Sequence, residues 1–235
     1  MRTCTSPAVP ANDALTPFPL PQQSRGCGVV GRIDLGFPAL GEAAGEPCWH
    51  IATSSWSTAN SISEALGGTA RPFGRLPGLE VQVVTEAASL SVLLEGPDSV
   101  SFRMARRGGR GVAHTCDGQR FLEPAGLTGT ACGCPPTLTA RRAAALRGLG
   151  PKPDIELVFL LHAAPELGLF RLNTSSWDFA GDSLRALEVL RQVPSPVLCR
   201  LGIEVVEFSS PDGVEVSYRR PMLVVAGSAV PPGEE

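Results

Sequence analysis

Two copies of one tetrapeptide organise the chain: Thr53-Ser54-Ser55-Trp56 and Thr174-Ser175-Ser176-Trp177. Four matching residues mean little alone, so the flanks decide. Upstream of the first copy stand Val30-Gly31-Arg32-Ile33-Asp34-Leu35 and Trp49-His50-Ile51-Ala52. Upstream of the second stand Ile155–Leu161, a loop with Pro165 and Gly168, and Leu169-Phe170-Arg171-Leu172-Asn173. Each set predicts two strands joined by a turn. Downstream the period lengthens. Ala59, Ile62, Ala65 and Leu66 share one helical face that Gly67-Gly68 ends, and Ala180, Leu184, Leu187 and Leu190 repeat the pattern between Asp178 and Pro194. Ser and Asp suit the N-caps, because their side-chain oxygens accept from the open amides of a first turn. Strand pairs follow each helix: Leu79–Val84 with Ser89–Leu94, then Leu201–Phe208 with Val214–Ala226.

The expected fold is therefore α+β, with two related β-β-α-β-β halves at residues 29–107 and 154–228. Each half should form its own, mainly antiparallel sheet with one helix on a face. Trp56 and Trp177, at the strand-to-helix junctions, are expected in the core. Residues 1–28 contain Pro7, Pro10, Pro17, Pro19 and Pro21, which break any apolar run of signal-peptide length. They and 229–235 read as flexible tails.

Composition limits the function classes. The 235 residues are 43% apolar and 18% charged, enough for a real core and too apolar for a wholly disordered chain. A net charge of -3 argues against a sequence-independent nucleic-acid binder. The most apolar stretch, Ile155–Ala164, is interrupted by Glu156 and His162 and is far short of the ~20 residues that span a bilayer. A soluble protein without membrane association is expected. Seven cysteines make an odd count, and without a secretion signal they are expected as reduced thiols or metal ligands.

Between the halves lies a Cys-, Arg- and Gly-rich insert, residues 108–153. It holds His114-x-Cys116 and, after fifteen intervening residues, Cys132-x-Cys134-Pro135. Thiolate and imidazole are the ligands of tetrahedral zinc. In an extended segment, residues i and i+2 point the same way, so each pair can grip one ion. A Gly- and Pro-rich loop has little apolar material to close it, and a structural metal would supply that energy. Three buried reduced cysteines without metal is the competing reading. Asp117-Gly118 reads as a turn rather than as acid–base machinery. Thr137–Arg147 then predicts a short helix ended by Gly148. Arg103, Arg106, Arg107, Arg110, Arg120, Arg141, Arg142 and Arg147 make this region locally basic, either to meet phosphates or an acidic partner or simply as a solvated face.

The enzyme templates are missing: the chain has no G-x-S-x-G, no phosphate-binding G-x-x-x-x-G-K-[ST] and no H-E-x-x-H. His50, His114 and His162 have no nucleophile at a recognisable spacing, and His162 is expected as a core or edge residue of an apolar strand. No catalytic residue is assigned.

The strings Cys116-Asp117-Gly118, Cys132-Gly133-Cys134-Pro135-Pro136, Arg141-Arg142-Ala143-Ala144-Ala145 and Gly150-Pro151-Lys152-Pro153 resemble the recombination directionality factors of actinophage large serine integrases. The resemblance continues through Pro165-Glu166-Leu167-Gly168, Thr174–Trp177, Leu198-Cys199, Ile203–Glu207 and Val216–Pro221, and covers about 29–228. It implies a control protein with no chemistry of its own, acting in the cytoplasm of a bacterial host. Its partner would be a large serine integrase bound to attachment-site DNA. By stabilising one arrangement of the integrase's coiled-coil arms, the factor would switch it from attP × attB integration to attL × attR excision. Relatives carry a cysteine just before the Lys-Pro that follows the insert, where this chain has Pro151. His114 then becomes the expected fourth zinc ligand beside Cys116, Cys132 and Cys134, with Cys199 as the alternative. Cys4, Cys27 and Cys48 read as plain thiols. The partner-binding surface is not assigned, although Val214, Val216 and Tyr218 on an edge hairpin are candidates. The alternative function is a phage nucleic-acid-binding protein acting in DNA replication, motivated by the arginines of 103–147; a metal-dependent hydrolase fits least.

Overall fold

A computed structural model describes residues 28–35, 48–108, 111–210 and 212–229. The expected tails, with Cys4 and Cys27, lie almost wholly outside these residues. The chain separates into two compact units, one of them Arg103–Lys152 and the other carrying the strands on either side of it.

The larger unit is built on nine strands: β1 (Val29–Leu35), β2 (Trp49–Thr53), β3 (Thr69–Leu76), β4 (Leu79–Val84), β5 (Ser89–Leu94), β9 (Lys152–Leu161), β10 (Leu169–Thr174), β11 (Val197–Ser209) and β12 (Glu215–Ser228). They lie in the order β12-β11-β5-β9-β10-β1-β2-β4-β3. This corrects the expectation of two sheets. β5, from the first half, sits between β11 and β9 of the second, and β1 pairs in parallel with β10, placing Gly31 opposite Phe170 and Ile33 opposite Leu172. The other pairings described among these strands are antiparallel. Alternating hydrophobicity fixes which face a strand buries but not which strand lies beside it, so this interleaving left no local signal. β9 shows the alternation in full: Ile155, Leu157, Phe159 and Leu161 are buried while Asp154, Glu156, Val158 and Leu160 are half-exposed.

The repeated tetrapeptide is a strand end followed by a helix cap. In α1 (Trp56–Leu66), Ser55 Oγ accepts from the Thr58 amide at 3.4 Å, and in α3 (Trp177–Leu190), Ser176 Oγ accepts from the Phe179 amide at 3.2 Å. The caps are thus the second serines of the repeat; Asp178 lies one step inside the helix, where a negative charge suits the N-terminal dipole. Trp56 and Trp177 occupy the first helical position. Neither is a core residue: Trp56 is 50% exposed and Trp177 half-buried. Their helices bury Ala59 and Ile62, and Phe179, Ala180, Ser183, Ala186, Leu187 and Leu190, instead. α1 packs on β2, β3 and β4, and α3 on β12.

The buried tryptophan is Trp49, whose indole N–H donates to the Ala88 carbonyl at 3.3 Å and whose amide donates to Thr85 Oγ1 at 3.1 Å. At the other end of the β1–β2 pairing, Gly31 is required by close approach, since a Cβ there would lie 2.8 Å from the Phe170 ring and 2.9 Å from the Ala52 carbonyl. His162 follows β9 and is exposed rather than held in a core or edge pairing, although its amide donates to the Ser91 carbonyl. Among the described residues no helix is long and apolar enough to cross a membrane.

Trp49→Ala is expected to cost about 3–5 kcal/mol of unfolding free energy, as for other fully buried aromatics, whereas Trp56→Ala should cost under about 1 kcal/mol. Urea denaturation of the two variants checks the assignment.

Candidate metal centre

The Arg103–Lys152 unit has almost no hydrophobic interior. Among its described side chains only Met104, Cys116, Ala145 and Pro151 are buried apolar groups. It is not the bare loop expected from composition, however. β6 (Val100–Gly108) pairs with β7 (Gly111–Cys116), which pairs with β8 (Phe121–Glu123); α2 (Leu138–Leu146) follows, capped by Thr137 Oγ1.

β7 carries His114 and Cys116 two residues apart, and the Cys116 end is fixed by a tight turn. Asp117 Oδ1 accepts from the Gln119 and Arg120 amides at 2.8 and 2.7 Å, and Gly118 adopts φ +99°. Asp117 thus serves the turn. The next segment is strapped onto it: the Cys132 amide donates to the Gln119 carbonyl at 2.8 Å, and Arg120 bridges to Ala131. Cys132 and Cys134 are not in an extended strand. Gly133 at φ +70° turns the backbone between them, a left-handed conformation that costs glycine little.

These elements bring together His114, Cys116, Cys132 and Cys134, with one donor atom from each inside a 4.8 Å group. Cys116 Sγ lies 3.7 Å from Cys134 Sγ, and Cys134 Sγ lies 3.6 Å from His114 Nε2. A tetrahedral ion with metal–sulfur bonds of about 2.3 Å and metal–nitrogen bonds of about 2.0–2.1 Å has S···S edges of about 3.8 Å and S···N edges of about 3.6 Å. These two of the cluster's six edges match, and with all four donors inside 4.8 Å the group could hold a metal ion. His114 and Cys116 are buried, Cys132 and Cys134 half-buried, and the His114 ring is backed by Phe121 with centroids 4.5 Å apart. Cys199 is not in the group. It is a buried residue of β11 in the other unit, and burial pushes its thiol up to about 11.

Arg141 was grouped with the basic surface by its sequence neighbours, and the structure corrects this: on α2, it is 1% exposed. Its Nε donates to the Pro135 carbonyl at 2.6 Å and its Nη2 to the Gly118 carbonyl at 2.7 Å, joining the two ligand-bearing segments. A Cβ on Gly118 would come within 2.3 Å of Nη1, so glycine makes room for the guanidinium. Nη1 itself has no hydrogen-bond partner. A buried cation without a counter-charge is costly. Three thiolates and a neutral imidazole around a divalent ion carry one net negative charge, which complements it.

The thiols already differ in acidity. Cys134 is drawn down to about 6, chiefly by the hydrogen bond with the Cys116 thiol, with His114 and Arg141 adding to the effect. Cys116, on the other side of that hydrogen bond, is pushed up, and burial raises Cys132. Of the other arginines, Arg106, Arg120, Arg142 and Arg147 are exposed and Arg103 is half-buried. The side chains of Arg107 and Arg110 lie outside the described residues. Cys48 is a half-buried free thiol, as expected.

With this geometry in place, the comparisons assign the chain. It belongs to the Gp3-like family, described as recombination directionality factor-like, which it matches over residues 67–226. That span holds the whole cluster, α3, all of β11 and all but the last two residues of β12. No solved structure matches the chain.

Metal analysis of the native protein should find one ion per chain, and Cys134→Ser should lose it and melt at lower temperature. Arg141→Met should weaken binding about 10–100-fold in competition with a chelator, the usual cost of removing a group that orients metal ligands. Unaltered affinity in Arg141→Met would contradict the assignment of Arg141 to the centre.

Proposed function

We propose that the protein is a recombination directionality factor that binds a phage serine integrase on its attachment sites and converts it from attP × attB integration to attL × attR excision. The observation that carries this reading is the family match over 67–226. The cluster supports it in a second way. Its four protein donors would complete a tetrahedral shell around an ion, the pattern of structural rather than catalytic sites, which keep a position open. Zinc is the ion that best suits a three-cysteine, one-histidine set. The centre then replaces the apolar core that residues 103–152 lack, and the protein has no bond-making chemistry of its own.

A binding protein is sufficient for such a switch. If the factor binds the excision-competent arrangement of the integrase arms about 10⁴-fold more tightly than the alternative, a 1:99 balance becomes 99:1. Action on host-resident prophage DNA places the protein in the bacterial cytoplasm.

Purified protein added to its integrase should produce attL × attR recombination and suppress attP × attB recombination. Unchanged recombination in both directions would remove the reading. A gel shift of the protein alone on DNA tests the replication alternative: tight binding with a steep salt dependence would favour it.

A further inference from the structure

The β11–β12 hairpin outgrows its sheet. β5 pairs with β11 only from Val197 to Gly202, and the Ile203 amide makes the last bond to that side, to the Ala88 carbonyl. From Glu204↔Arg220 to Ser209↔Glu215 the two strands pair, among the described residues, only with each other. Arg220 fixes the base of this ribbon: Nε and Nη2 grip Glu204 at 2.8 and 2.7 Å, while Nη1 reaches Asp178 of α3 at 2.9 Å.

The cross-strand register sorts the ribbon into two unlike faces. Val206↔Tyr218 and Phe208↔Val216 are opposite one another on one face, continued by Val214. The other face carries Val205, Glu207, Ser209, Glu215, Ser217 and Arg219. On the apolar face Phe208 is 48%, Tyr218 39% and Val214 60% exposed, and the two rings meet edge-on with centroids 6.4 Å apart. A two-stranded ribbon is marginal in water by itself, and one that presents aromatics to solvent marks a contact surface.

Charge and area identify the occupant. Residues 204–220 hold Glu204, Glu207, Asp212 and Glu215 against Arg219 and Arg220, so the arm is acidic. It repels a phosphate backbone and a second copy of itself. Its five apolar side chains expose on the order of 300–400 Å², well below the ~800 Å² per partner of a stable dimer. We propose that this ribbon is the docking arm for the integrase, seating Val206, Phe208, Val214, Val216 and Tyr218 on an apolar strip bordered by basic side chains. The proposal rests on the directionality-factor reading above.

The test uses the full chain with Phe208→Ser and Tyr218→Ser combined, and separately Glu207→Lys with Glu215→Lys. All four positions are exposed, and metal content and melting temperature serve as folding controls. The aromatic pair should weaken integrase binding at least 30-fold and abolish the switch to attL × attR recombination. The charge pair should weaken binding less, and by an amount that shrinks as salt is raised. Integrase binding within threefold of wild type for the aromatic pair overturns the arm while leaving the directionality reading intact. A wild-type chain that does not bind integrase removes that reading itself. A wild-type dimer converted to monomer by the aromatic pair would assign the face to a second copy and overturn the proposal.

Discussion

The arrangement of residues 103–152 depends on four donor atoms meeting in one place. The unit's described side chains offer only four buried apolar groups, too few to offset the entropy of ordering fifty residues. What closes it is polar: His114 and Cys116 from a strand, Cys132 and Cys134 from a glycine turn, and a buried arginine across both. Each component explains another. Gly118 leaves room for Arg141, and Arg141 supplies the positive charge that a three-thiolate centre needs. A metal held here would be a folding element, its binding energy contributing to folding.

The larger unit is organised differently. One parallel pairing, β1 with β10, joins two chain segments that read as separate halves, and β5 is threaded between β9 and β11. The shared sheet buries Ile33, Ile51, Phe159, Phe170 and Leu172 in one core. It also leaves the β11–β12 hairpin anchored by Arg220 while the ribbon beyond Ile203 has no sheet neighbour among the described residues. Stability resides in the sheet, and the contact surface in the part that extends past it.

Most of the elements were legible in the sequence because their signals are local. Alternation marked β9 and β10, capping residues marked the helix starts to within a residue or two, and Gly67, Gly148 and Pro194 marked the ends. The ligand spacing was legible too, since His114-x-Cys116 on a strand is a period-two pattern. Other features were not. Sheet order is a property of residues far apart in the chain, and the repeat suggested two sheets where pairing made one. The tryptophans misled because the repeat placed them at the first helical turn, ahead of the buried face. Arg141 was hidden by composition: among eight arginines, no spacing distinguishes the one that a neighbouring glycine admits to the interior.

The functional account rests on the centre maintaining shape, with no coordination position left for a substrate. Exchange of the native ion for cobalt(II) tests this most directly, because cobalt absorption reports geometry and ligand set. The account predicts the intense bands of a tetrahedral, thiolate-rich ion, unchanged when small anions are added in excess. The weak bands of an octahedral ion, or a spectrum that shifts as added anions bind the metal, would contradict it.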